Sequence, residues 1–238
     1  MHITFGMKPH VMIGLIAAAG LGAMTALAVS PRNASLGPRF SNPRAITNPY
    51  LPLQSLKRDT LQSKHGRVER TVRRELRKTF KVGDQNVEAL VVEDREFADG
   101  KLKEVALDYF AQADDGTVYY LGEDVDQYKD DKIVGHEGAW LLGKQTGQAG
   151  VLIPAHPKVG EKFQSENVPG ITREDDEIVS LSETVTVAAG TYRDCVKVKE
   201  HLSDGATEYK FYAPNVGCVK EAEKDDALEL QKHETTRD

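Results

Sequence analysis

Little in this chain matches the short motifs that announce a chemistry. No Cys-x-x-Cys pair, Gly-x-Ser-x-Gly elbow or glycine-rich dinucleotide fingerprint occurs in the part expected to be globular. "HEGAW" at His136 and "HETTR" at His233 begin like zinc-protease helices but lack the second histidine four residues on. "GAWLLGKQT", Gly138 to Thr146, has the spacing of a phosphate loop, yet Gln145 stands where a magnesium-binding hydroxyl is required. No catalytic residue and no cofactor is therefore assigned, and an enzyme is the less favoured reading. Cysteine is scarce too, with only Cys195 and Cys218. They could form a disulfide if the chain is exported, or remain two small buried side chains. Positive charge is also in deficit. The net charge is −6 and the isoelectric point about 5.7, which removes any general attraction for nucleic acid or anionic lipid. The basic run "RTVRRELRK", Arg70 to Lys78, is closely followed by acids.

What is present begins with a leader. Lys8 and His10 precede an uncharged stretch from Val11 to Val29, and Ala26-Leu27-Ala28 has the small-x-small pattern that signal peptidase accepts. Residues 1–28 read as a signal peptide, with an uncleaved membrane anchor as the alternative. The expected location is periplasmic or extracellular, or tethered to the inner membrane by that segment. Five of the ten prolines fall between residues 31 and 53, so residues 29–44 read as a flexible linker. A β domain is expected over 45–223, and a C-terminal strand or tail over 224–238.

Within the domain, alternating β-branched and aromatic runs are punctuated by Asp99-Gly100, Asp115-Gly116, Lys129-Asp130-Asp131 and Asp204-Gly205. That pattern predicts a single antiparallel, strongly twisted sheet, as a meander or half-barrel behind the N-terminal signal or anchor helix. "RVERTVRRELRKTFKV" repeats its apolar residues every four positions, and its β-branched content favours strand. Residues 141–176 read as a long excursion.

The stretch "ADDGTVYYLGEDVDQYKDD", residues 113–131, holds seven carboxylates against one lysine. It does not fit an EF-hand, since aligning the invariant glycine on Gly116 puts alanines at the first ligand positions. A three-residue loop pairs Tyr109 with Leu121 and Val105 with Val125, and gathers the apolar residues on one face. The same register puts Glu104, Asp108, Asp124 and Asp126 together on the other face. They form either a solvated acidic surface or, as the alternative, a calcium site.

Several segments resemble a group of exported bacterial proteins of unknown function: "AITNPYLPL", "DYFAQADDGTVYYLGED", "GVLIPAHPKVGEKF", "VTVAAGTYRDCVKVKE" and "EYKFYAPNVGCVKE". The resemblance covers roughly residues 45–222 and implies bacterial origin, export and a β-rich fold, but no activity. Ala188 stands where that group often has proline, and Asn215 where it has glycine. Val185, Val187, Tyr192, Val196 and Val198 are expected in the core, while Tyr209, Tyr212 and Trp140 could line an apolar groove. The expectation for function is a non-enzymatic envelope protein that binds an apolar small molecule or an envelope protein partner. A calcium-stabilised adhesion module and a hydrolase without a recognisable motif are the alternatives.

Overall fold

Turn residues divide the chain into short extended runs, and in the computed structural model, which describes residues 37–236, these runs form fifteen strands. The first seven are β1 (Leu56–Gln62), β2 (Gly66–Val72), β3 (Lys78–Val82), β4 (Gln85–Ala98), β5 (Lys101–Gln112), β6 (Val118–Lys129) and β7 (Lys132–Gly135). Then come β8 (Trp140–Leu141), β9 (Gly150–Ile153), β10 (Lys162–Val168) and β11 (Thr172–Val187). The last four are β12 (Gly190–Leu202), β13 (Thr207–Ala213), β14 (Gly217–Ala222) and β15 (Ala227–Thr235). Asp130 and Asp131 take φ values of 50° and 60°. That is the pair of left-handed residues a two-residue hairpin needs to match the strand twist, and Lys129 duly pairs with Lys132.

All strand pairings are antiparallel, in the order β10-β11-β12-β13-β14-β15-β1-β2-β4-β5-β6-β7, with β3 added to β4 and both β8 and β9 to β6. The expectation of a strongly twisted half-barrel sheet is corrected here. The ladder is open, no strand pairing joins its ends, and no helix occurs among the described residues. Accordingly, none of them forms a helix long and apolar enough to cross a membrane. The leader and residues 29–36 lie outside the described residues. Residues 37–44 are held against the sheet: Ser41 N–H and Oγ–H both donate to Asp114, and Arg44 reaches Glu88 at 2.9 Å. The supposed excursion at 141–176 contributes β9, β10 and the start of β11. The C-terminal segment supplies β15, which lies between β14 and β1 and joins the late strands to the early ones.

Three apolar clusters follow from the alternation of side chains across the sheet. The largest draws on both halves of the ladder. Leu90, Phe110 and Tyr120 come from the early strands, Ile178, Val196 and Tyr212 from the late ones, and Ile46, Leu51 and Leu53 from the segment leading into β1. That segment is fixed by Asn48, whose amide donates to the carbonyls of Gly116 and Pro154 at 3.0 and 3.1 Å. A second cluster, with Phe80, Val87, Tyr109 and Leu121, lies on the opposite face of β4–β6 under β3. A third gathers Leu61, Val185, Cys195, Val219 and Leu230. Val185, Val187, Val196 and Val198 are buried as expected, and Tyr192 is partly buried. Asn215 takes the left-handed conformation, with φ of 61°, which asparagine tolerates better than most residues.

Candidate functional site

The acidic hairpin settles which side chains face which side. At its tip the expected three-residue loop forms: Ala113 N–H donates to Thr117 O, and Phe110 pairs with Tyr120. Beyond it the register shifts by one, and Asp108 pairs with Glu123 and Val105 with Asp126. Between these pairs β5 spends one residue, Tyr109, and β6 spends two, Leu121 and Gly122. A β-bulge thus sits at Gly122, whose φ is 129°. A bulge inverts the facing of everything after it.

The four carboxylates therefore do not share a face, which corrects the expectation. Glu104 and Asp108 turn to the side of the main cluster, where they line a cavity. Asp124 lies on the other side, taking hydrogen bonds from Tyr109 Oη and Lys78 Nζ, both at 2.6 Å. Asp126 meets the His136 ring at 2.9 Å. Among the described residues no group of three or more His, Cys, Asp or Glu is placed to hold a metal ion. The calcium reading loses its geometric basis.

The cavity occupies about 500 Å3 between the two halves of the ladder. Side chains two apart on a strand share a face, and on most of the lining strands apolar residues give way to ionisable ones in step. On β4 the order is Leu90, Val92, Asp94, Glu96; on β13, read backwards, it is Tyr212, Lys210, Glu208; on β11, also backwards, Ile178, Asp176, Glu174. Antiparallel pairing aligns these steps into layers, so Ile178 sits opposite Val198, and Asp176 opposite Glu200. The result is an apolar floor of Leu51, Leu53, Val92, Phe110, Tyr120 and Tyr212 beneath a charged upper wall.

The wall is closely wired. Arg70 grips Asp94 with two parallel hydrogen bonds, Nε to Oδ1 at 3.0 Å and Nη2 to Oδ2 at 2.7 Å, the strongest form of such a pair. Burial works against the Arg70 charge, but Asp94 and Glu221 outweigh it and hold the pKa well above the ordinary value. Behind the wall, Lys210 pairs with Glu200 at 2.9 Å. Glu166, only 1 % exposed, accepts from Trp140 Nε1 at 3.3 Å and Thr172 Oγ1 at 2.5 Å. Ser165 donates from its backbone to Asp176 and from its hydroxyl to Glu174. Burial lifts Glu200 to about 8, with Lys210 opposing and Glu174 and Asp176 adding to the rise. Asp176 rises to about 6, again mainly by burial. Protonation of one member of this group relieves the repulsion among these buried like charges.

No family model, curated protein or solved structure matches the chain. The site is therefore read from its own geometry. Of the aromatics expected to line a groove, Tyr212 lines the cavity and Trp140 packs beneath it, 5.1 Å from the Tyr120 ring. Tyr209 does not join them; the Lys197 ammonium sits 4.3 Å from its ring centre. Sequence reasoning missed Arg70, Asp94, Glu166, Glu174, Asp176, Glu200 and Lys210. A signal was available: each stands at an even spacing from an apolar core residue of its own strand, such as Asp94 from Val92 or Lys210 from Tyr212.

Proposed function

We propose that this domain is a non-enzymatic binding module of an exported envelope protein, and that it holds a small molecule with substantial apolar surface in the cavity between its sheet halves. The supporting observation is the cavity itself. Its volume of about 500 Å3 falls in the range of roughly 300–1,000 Å3 typical of small-molecule sites. Its apolar floor supplies the hydrophobic contribution, and fixed polar groups above it supply orientation. Export rests on the leader, with its charged start, uncharged stretch and Ala26-Leu27-Ala28 junction. A protein partner is the second reading, favoured by Ile133 and Val134, which are 50 % and 62 % exposed on the edge strand β7. Native mass spectrometry of protein purified without detergent tests the first reading. An added mass should accompany the wild type and be absent from Ala106→Phe, which puts a ring into the cavity from β5. A mass retained by a folded Ala106→Phe variant would place the ligand elsewhere.

A further inference from the structure

The walls of the cavity carry thirteen carboxylate side chains against five Lys and Arg. That is a formal excess of eight negative charges in one concavity. The whole chain carries only −6, so everything outside the cavity is net positive. Charge of one sign inside a low-dielectric concavity focuses the field and concentrates the opposite charge there.

The two most deeply buried cations of the wall already face carboxylates. Arg70 is committed to Asp94, and Lys210 lies among Glu200, Glu221 and Glu174, so a lone anion would have to compete with those carboxylates. Deeper in, the Phe110 and Tyr120 rings lie 4.9 Å apart between centres. Tyr120 Oη donates to Asp108 at 2.6 Å, which fixes a carboxylate at the edge of an aromatic pair. Glu123 and Glu166 also line the cavity, and, beyond burial, their charges add to that of Asp108 in holding the Tyr120 hydroxyl protonated. Carboxylates held at the border of an apolar, aromatic-lined floor are surroundings that suit an alkylammonium, through charge-assisted hydrogen bonds. The apolar floor next to this point leaves room for a hydrocarbon body.

We infer that the ligand of this cavity is an organic cation, an amine or ammonium group on an apolar body, with the charged group held beside Asp108, Glu123 and Tyr120. This inference rests on the cavity being a binding site, as proposed above. The two can be separated by titrating the full chain at pH 7 with three probes of equal length, decylamine, decanol and decanoate, using calorimetry below their aggregation concentrations. Decylammonium should bind at least tenfold more tightly than decanol, and decanoate more weakly than either. The preference for decylammonium over decanol should shrink severalfold in Asp108→Asn and in Glu123→Gln, each first checked for an unchanged melting transition. Ala106→Phe should lose decylammonium binding. If decanol or decanoate binds as well as decylammonium, the charge inference fails and the cavity reading stands. If Ala106→Phe binds decylammonium undiminished, the cation sits outside the cavity and the inference fails. If none of the three probes binds, both readings fail together.

Discussion

Two residues show how local chemistry sets the behaviour of the site. Gly122 makes the bulge, and a Cβ there would lie 2.4 Å from the Trp140 carbonyl oxygen and 2.8 Å from Leu141 Cα. Both are backbone, so neither can swing aside. Gly122→Val combines that clash with a left-handed conformation foreign to a β-branched residue, and should cost about 3 kcal/mol, read by urea denaturation. Glu200 is the second. Its folded pKa, near 8, lies above its ordinary value of 4.5, so between those pH values the folded protein holds a proton that the unfolded chain has released. Stability must then fall as pH rises across that window. His233 acts in the same sense. Its hydrogen bond to Asp59 raises its pKa, so its contribution is full below the unfolded value and disappears as pH rises through the folded one. The melting temperature should therefore decline from pH 5 to pH 8, and Glu200→Gln should flatten the decline. A wild-type curve that rises over that range would show that Glu200 ionises freely in the folded state.

At the scale of elements, β15 carries more than its terminal position suggests. It pairs with β14 through Lys220–Glu229 and with β1 through Asp59–His233, and so joins the last strands to the first. Leu230 of β15 is fully buried in the third cluster. Truncation after Asp226 would leave two strand edges unpaired and open that cluster. It should abolish cooperative unfolding rather than merely lower its midpoint, as circular dichroism on heating would report. Strand positions were largely legible, because Asp-Gly and Asp-Asp turns cut the alternating runs where the hairpins turn. The register of the acidic hairpin was not. Matching apolar faces favoured one register for the whole hairpin, whereas the bulge at Gly122 allows one register near the tip and another beyond it. The cue was a glycine inside a strand pattern, which often marks a bulge. The excursion at 141–176 was opaque for another reason. Its strands carry Glu166, Glu174 and Asp176 inward, and ionisable residues at buried positions erase the apolar alternation by which a strand is recognised.

For the molecule as a whole, those buried charges define an interior that is neither a uniform core nor a water-filled gap. Composition could not reveal this, because a carboxylate counts the same whether it faces solvent or the cavity. Only pairing across the ladder shows that Asp94, Glu166 and Glu174 are buried around one cavity. The same ladder decides the fate of the cysteines. Cys195 lies on β12 and Cys218 on β14, and β13 runs between them. Adjacent strands are about 4.8 Å apart, so strands separated by a third stand roughly 9–10 Å apart, beyond the reach of a disulfide at ~7 Å. Both thiols are free and buried, and they belong to different clusters, Cys195 to the third and Cys218 to the first. Burial also pushes both thiols above their ordinary pKa, which depletes the reactive thiolate. Even an oxidising compartment would then leave them reduced while the fold persists, and their exposure would require opening of the sheet. An aromatic disulfide reagent should therefore label neither thiol in the native protein and both in denaturant, with native labelling limited by the rate of global unfolding. A reductant should leave the melting temperature unchanged; a drop on reduction would mean that strand β13 does not separate the two cysteines.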